Sequence, residues 1–403
     1  MPRIIFVSDL AVWSMGQGNG GPAFSQTLKK YVDEKWEVYL ISDEISNQNI
    51  GYLEKENNIF IKPTIFKKWI QLYKVGCVFK ILDHYFVAKK FSRKIKKIID
   101  NSHQETILYA YEIYGVKACK EISQKYHIPF ITRFQGTILS QYKNCLLNHI
   151  RLYPHFQALS QSADLIIMTD DGTKGLDVLK TLGNNSKTLF LRNGLDLLEC
   201  NLDELKRETI NTSNNECLFL TVSRLVRWKH VERAIDGFSE YYKLGLKGRL
   251  LIIGDGDQKE FLMHRAKHLG ISEHVIFLGA IAHDNIYKYM LKCDVFLSLY
   301  ELSNVGNPLL EAMTLGKCII TLDVGDTCKV IKHLENGILL TRDELPTLGE
   351  KMAQLATLPE LRLELGRAAQ KYALKNFYSW EMRMDIEYRE VCRVIKNNVS
   401  IYE

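Results

Sequence analysis

No stretch of this 403-residue chain approaches the roughly 18 consecutive apolar residues that a membrane-spanning helix needs. There is no C-x-x-C pair. The nine cysteines (77, 119, 145, 200, 217, 293, 318, 328 and 392) are scattered and odd in number. That pattern argues against a disulfide framework and a structural metal, and fits a reducing compartment. A secretory leader is not read at the start either, because Met1-Pro-Arg-Ile-Ile-Phe-Val7 runs directly into a strand-like segment. Neither sign of charge dominates, with 53 Lys and Arg against 47 Asp and Glu, a net +6. The expectation is a cytoplasmic protein, with peripheral attachment to the inner face of the membrane left open.

What is present is ordinary globular composition, 46% hydrophobic and 25% charged. The length exceeds what one core usually fills, so two domains of about 190 residues are expected. Strand-like and helix-like segments alternate throughout, the pattern of doubly wound α/β domains. In the first half, strands are expected at 4–7, 37–42, 107–110, 129–132, 165–168 and 188–191, with a helix over 22–36. A second series runs 217–222, 249–253, 275–278, 295–300 and 318–321. The polar segment 201–216 reads as a linker. The expected division is 1–195, 196–375 and a C-terminal helical segment 376–403 returning to the first domain. Two such domains would face each other across a cleft at their strand C-terminal ends.

One stretch is especially informative. The apolar run Val295–Tyr300 opens into a polar loop, Glu301-Leu-Ser-Asn-Val-Gly-Asn307, and Pro308 then starts a helix that stops at Gly316. Proline in the first turn and glycine past the end are well tolerated there. Glu311 lies early in that helix. Earlier, Ser223-Arg224-Leu-Val-Arg-Trp-Lys229 follows a buried strand and offers two cations five residues apart, suited to a diphosphate. A solvated surface turn is the plainer account of the same residues.

Taken together, these motifs resemble the retaining GT-B glycosyltransferases of family 4 (glycosyl transferases group 1). The resemblance rests on Ser223-Arg224-Leu225 through Lys229, Gly254-Asp255-Gly256, and Glu311-Ala-Met-Thr-Leu-Gly316-Lys-Cys-Ile-Ile320. Asn193-Gly194-Leu195-Asp196 is similar to the family's interdomain junction, and Tyr378-Ser-Trp380-Glu381 to its last motif. The resemblance implies that Arg224 and Lys229 hold a donor diphosphate and that Glu311 takes the two ribose hydroxyls. Chemically, one carboxylate can accept both hydroxyl hydrogens. Gly20 and Gly21, ending a long glycine loop at a helix start, would offer backbone N–H groups to the diphosphate or the acceptor. Gly254 would line the donor site.

Two positions depart from the family. Its first loop carboxylate falls on Ser303, with Glu301 out of register, leaving Asn304, Gly306 and Asn307 as amide and backbone donors to the sugar. Gln135 stands where a histidine is common, and glutamine can hydrogen-bond a sugar hydroxyl but does not titrate. Other patterns have alternative readings. Gly16-Gln-Gly-Asn-Gly-Gly21 spells a dinucleotide fingerprint, with Asp43 ending the next strand, but the loop begins nine residues past Val7, the expected strand end. Asp255-Gly-Asp257 suits a tight turn as well as a metal–nucleotide complex. His264 and His268 are spaced for zinc on one helix face, but no third ligand is evident. Between Lys62 and Lys97, eleven Lys and Arg face a single acid, Asp83, among many aromatics. This suits either a solvated helix or an anionic bilayer surface carrying a lipid-linked acceptor. No nucleic-acid recognition motif accompanies it.

The implied activity is transfer of a sugar from a nucleotide-diphosphate sugar, UDP favoured, to a glycan or lipid-linked saccharide in polysaccharide biosynthesis. Configuration would be retained, with no metal and no other cofactor. A non-catalytic nucleotide-sugar-binding subunit, or an epimerase or phosphorylase on the same fold, are the alternatives.

Overall fold

Continuous apolar runs such as Ile4-Ile-Phe-Val7 and Leu218-Phe-Leu-Thr-Val222 call for burial on both faces, which a parallel sheet covered by helices provides. The structure, a computed structural model, describes residues 1–11, 23–43, 53–72, 75–100, 104–196 and 216–402. Its chain divides into two compact units. The first comprises Met1–Asp170, Lys174–Asn193 and Trp380–Glu403, and the second Asp171–Thr173 with Gly194–Ser379. The compact units meet at 193–194 and 379–380, beside the expected boundaries at 195 and 375. A three-residue insertion from 171 to 173 also joins the second unit.

In the first unit, strands β1 (Arg3–Ala11), β2 (Glu37–Asp43), β3 (Asn58–Ile61), β4 (Thr106–Tyr111), β5 (Phe130–Phe134), β6 (Leu165–Thr169) and β7 (Thr188–Leu191) form one sheet. Their order is β3-β2-β1-β4-β5-β6-β7, and every pairing is parallel. Val7 sits opposite Ile41 on one side and Ala110 on the other, all buried. The Trp380–Tyr402 helix belongs to this unit. Its Val391, Val394 and Ile395 join Ile4, Phe6, Phe24 and Trp36 in one apolar cluster. Beside them, buried Glu387 accepts hydrogen bonds from Tyr109 Oη (2.6 Å), Arg133 Nη1 (3.3 Å) and Arg383. Burial alone would raise its carboxyl, but Arg383 and Arg133 hold it below the ordinary value.

In the second unit, β8 (Cys217–Val222), β9 (Gly248–Ile253), β10 (Val275–Gly279), β11 (Val295–Ser298), β12 (Cys318–Leu322) and β13 (Ile338–Leu340) are ordered β10-β9-β8-β11-β12-β13, again all parallel. Strand order reverses between β8 and β11, which are paired neighbours. Loops leaving the C-terminal ends of two such strands diverge and open a crevice between them. Those loops are 223–229 and 299–306, the segments that the sequence singles out. In the first unit the corresponding reversal lies between β1 and β4, and the loop after β1 falls at 12–22. Gly20 and Gly21 therefore lie outside the described residues.

Candidate active site in the second unit

The loop after β8 is built by backbone bonds to the turn after β9. Leu225 N donates to Asp255 O (2.9 Å), and Gln258 N to Leu225 O (2.9 Å). Gly254 makes this approach possible. Its φ is +135°, and a Cβ there would lie 1.8 Å from Ser223 O, so no other residue fits without moving the loop. The expected donor-site role of Gly254 thus has a local backbone reason beside it. Asp255 caps the same turn, accepting from Gly256 N and pairing with Lys259, which is turn chemistry.

Lys229 ends this loop in a single 3-10 turn, Arg227–Lys229. Its Nζ lies 4.3 Å from the centroid of the Tyr300 ring and 4.6 Å from that of Trp228, while Arg224 Cζ stands 5.3 Å from the same Trp228 ring. Burial pushes the Lys229 ammonium down to about 7, Arg224 adds to that, and Asp171 opposes it. Among the described residues, neither Arg224 nor Lys229 forms an ion pair. The Tyr300 hydroxyl donates to Val222 O (2.7 Å), tying the loop after β11 to the end of β8.

The loop after β11 is shaped by its own polar side chains. β11 ends at Ser298, two residues before the expected end at 300, because the chain there turns to meet Arg233, which donates to Leu299 O (3.0 Å). Glu301 is gripped by Arg233 and Arg342, each at 2.5 Å; burial would raise its carboxyl, but these partners hold it below the ordinary value. Asn304, expected to offer its amide to a ligand, uses it internally. Its Nδ2 donates to Thr321 Oγ1 (2.9 Å), Leu322 O (3.1 Å) and Thr327 Oγ1 (3.2 Å), and its Oδ1 accepts from Ser298 (2.9 Å). Ser303 has φ +52°, unusual for a serine, and donates to Asp171 Oδ2 at 2.6 Å. Gly306 precedes the Asn307–Thr314 helix with an ordinary φ of −88°, and a Cβ there would meet nothing closer than 3.4 Å. Neither strain nor packing explains glycine at this position.

Glu311 lies on that helix, only 2% exposed. His283 Nε2 donates to its Oε1 at 2.9 Å, and the Tyr287 hydroxyl stands 3.2 Å from His283 Nδ1. Asp196 Oδ2 approaches the same ring nitrogen at 3.9 Å. The second unit therefore collects Arg224, Lys229, Ser303, Gly306, Asn307 and Glu311 on loops and a helix start around β8 and β11. Gln135 belongs to the first unit, after β5. There Gln135 Nε2 donates to Tyr111 Oη (2.6 Å), while Oε1 accepts from Asn193 (3.3 Å). His264 and His268 sit on the Lys259–His268 helix; among the described residues no group of three or more His, Cys, Asp or Glu is placed to hold a metal.

Two residues of this neighbourhood escape sequence reasoning. Asp171 sits in Asp170-Asp171-Gly172-Thr173 just after β6, a run that reads as a turn. His283 is a lone histidine after β10 whose only signal is its place at a strand end.

Residues 203–372 match the sequence profile of the family described as "Glycosyl transferases group 1". N-acetyl-alpha-D-glucosaminyl L-malate synthase of Bacillus anthracis is 28% identical over 198 residues, which are 49% of this chain and 51% of that protein. An uncharacterized glycosyltransferase of Methanocaldococcus jannaschii is 32% identical over 134 residues, 33% of this chain and 34% of that one. The chain thus spans about half, or about a third, of the length of these relatives. Sucrose-phosphate synthase from Thermosynechococcus elongatus superposes with a TM-score of 0.75 at 16% identity, covering 97% of this chain and 99% of that one. Anabaena HepE, solved with UDP and glucose, superposes at 0.70 and 18% identity, covering 97% and 99%. The fold of this chain is GT-B, built of two parallel-sheet, Rossmann-like domains.

Proposed function

We propose that this protein is a glycosyltransferase that moves a hexose from a nucleotide-diphosphate sugar, UDP favoured, to a saccharide acceptor with retention of configuration. One observation carries the reading. Arg224 and Lys229 both lie against the Trp228 ring at the β8–β11 crevice and feel each other's charge, with no ion pair among the described residues. Two neighbouring cations repel each other, with only the Asp171 carboxylate nearby among the described residues to offset it, and a diphosphate relieves that repulsion. In transfer, the same cations stabilise the negative charge that grows on the departing diphosphate. Retention then follows with the acceptor attacking on the face the diphosphate leaves, and the leaving phosphate takes the acceptor's proton. No metal and no separate base are needed in this scheme. Glu311 holds the ribose through its carboxylate, with His283 fixing one of its oxygens.

The test is thermal shift with UDP, GDP and ADP and then their hexose esters, followed by turnover of the donor that binds. Lys229→Ala is expected to lower kcat by about 10²–10³, as loss of one oxyanion donor does. Unchanged turnover with weaker donor binding alone would remove Lys229 from this role.

The acceptor side supports a lipid-linked saccharide. In the first unit, Ile65 and Trp69 of the Ile65–Trp69 turn, Val78 and Phe86 of the Gly76–Ile99 helix, and Leu72 between the two are exposed, among Lys67, Lys68, Lys80, Lys89 and Lys90. Exposed apolar side chains interleaved with cations match an anionic bilayer surface. Sedimentation with phosphatidylglycerol vesicles, compared with pure phosphatidylcholine, tests this; equal binding to both, or none, removes the membrane from the proposal.

A further inference from the structure

Asp171 has no role toward the sugar in the reading above, yet it is the carboxylate that reaches the sugar-side loop. It is 7% exposed and belongs to the three-residue segment Asp171–Thr173 that joins the second unit. Two backbone bonds fix it: Val305 N donates to Asp171 O (3.1 Å) and Asp326 N to Gly172 O (3.1 Å). Its Oδ1 accepts from Thr173 N (3.1 Å) and Thr173 Oγ1 (2.5 Å). That leaves Oδ2 for Ser303 Oγ, at 2.6 Å. Burial raises the Asp171 carboxyl, while these hydrogen bonds and nearby Lys229 oppose the rise. Ser303 and Lys229 therefore border one carboxylate, and Gly306 follows three residues after Ser303 at the helix start.

A serine hydroxyl carries one hydrogen and two lone pairs. With the hydrogen committed to an anion at short range, the oxygen can offer a ligand lone pairs only. Left free, the same hydroxyl would rotate to suit either a donor or an acceptor. The left-handed φ of Ser303 and the clasp around residues 171–172 keep the pair in register.

We propose that Asp171 is a positioning residue that fixes Ser303 as an acceptor-only contact, selecting donor sugars that present a hydroxyl or amide N–H to this loop over those that present a carboxylate or lack the hydrogen. The inference rests on the nucleotide-sugar reading of the site. It assigns the reading of the sugar to a residue pair 132 positions apart in sequence. A uronic acid at this position would set its carboxylate against an oxygen with no hydrogen to give and a second anion behind it. Such a juxtaposition rejects a ligand by repulsion rather than by lost contact.

The experiment is calorimetric binding with the full chain. UDP, GDP and ADP are screened first; the nucleotide that binds is then compared with its glucose, N-acetylglucosamine and glucuronic acid esters and with the monodeoxyfluoro-glucose series. Fluorine resembles a hydroxyl in size but donates no hydrogen. The wild-type protein is expected to bind one deoxyfluoro ester about fivefold to tenfold more weakly than the glucose ester, the upper range of a neutral hydrogen bond, and the glucuronic acid ester at least as weakly, since repulsion adds to the lost contact. In Ser303→Ala that discrimination shrinks to about twofold or less while affinity for the nucleotide alone is unchanged; in Asp171→Asn, which also removes an anion near Lys229, the discrimination, read as the ratio between esters, shrinks likewise. Discrimination that survives both variants overturns the proposal, as does a wild-type protein indifferent to every fluoro ester. Equal weakening of nucleotide and sugar-nucleotide binding in Ser303→Ala makes the Asp171–Ser303 pair structural only and also overturns it. If none of the three nucleotides binds, the nucleotide-sugar reading itself fails, an outcome distinct from binding without discrimination.

Discussion

The titration of Lys229 ties nucleotide affinity to pH in a way that can be worked out in advance. In the ligand-free protein its ammonium loses its proton at about 7 instead of the ordinary 10.5, because of burial and Arg224. A bound diphosphate supplies the missing anion and restores the ordinary value. Between those pH values, binding the nucleotide means taking up a proton, so the dissociation constant rises with pH by linkage. From pH 7.5 to 9 the neutral fraction of free Lys229 grows until only about 1% remains protonated, which weakens binding by about 20–30-fold, or about 2 kcal/mol. Starting at pH 7.5 keeps the phosphate's own titration out of the comparison. Calorimetry of UDP binding at pH 7.5 in buffers of different ionisation enthalpy should show uptake of about 0.8 proton. Lys229→Arg, whose guanidinium keeps its charge throughout, should abolish both the pH slope and the uptake. An affinity that stays flat to pH 9, with no buffer-dependent heat, refutes the reasoning. The same displacement acts on the fold. Between about 7 and 10.5 the unfolded chain holds the Lys229 proton and the folded one does not, so this residue's contribution to stability rises with pH.

Other outcomes follow from single contacts. Glu311→Ala should chiefly raise the donor KM, since ribose contacts persist from ground state to transition state; a large loss of kcat at constant KM would contradict that. Gly306→Ala should leave the melting temperature unchanged, as its Cβ makes only ordinary contacts at 3.4 Å and beyond, yet weaken donor binding if the sugar diphosphate approaches that backbone. Gly254→Ala should destabilise the second unit by at least about 1–3 kcal/mol in denaturant titration, because φ +135° and the Ser223 carbonyl both oppose a side chain. Glu387→Gln should cost about 3–5 kcal/mol, because it leaves Arg133 and Arg383 buried without their anion; a wild-type denaturation midpoint would refute that.

Much of the sheet architecture is legible because the strands buried on both faces write themselves as continuous apolar runs. β1, β4 and β8 are found where Ile, Leu, Phe and Val accumulate. The edge strands β3 and β13 are not. They are four and three residues long, each pairs on one side in its sheet, and a short run such as Asn58-Ile-Phe-Ile61 carries no decisive period. The cations at 224 and 229 and the carboxylate at 311 are legible as residue types at a spacing. What each one faces is not. Asn304 reads as a ligand donor until Thr321, Leu322 and Thr327 are seen to use its amide. Asp171 is invisible as a partner of Ser303 because only the three-dimensional fold brings the two together.

The helix Trp380–Tyr402 has a consequence for biosynthesis. It completes a core whose other strand walls, β1, β2, β4, β5 and β6, are translated before residue 170, and it alone carries Glu387, the anion for Arg133. A nascent chain therefore exposes Phe6, Phe24 and Tyr31 and keeps an unmatched guanidinium until nearly 400 residues have left the ribosome. The intervening segment, 194–379, has its own sheet and core and can settle in the meantime. Synthesis order and folding order then run opposite for the two units, with the first to be made the last to close. An expression fragment ending near residue 193 would carry that open face permanently and should aggregate, whereas one that restores 380–402 through a short linker should not.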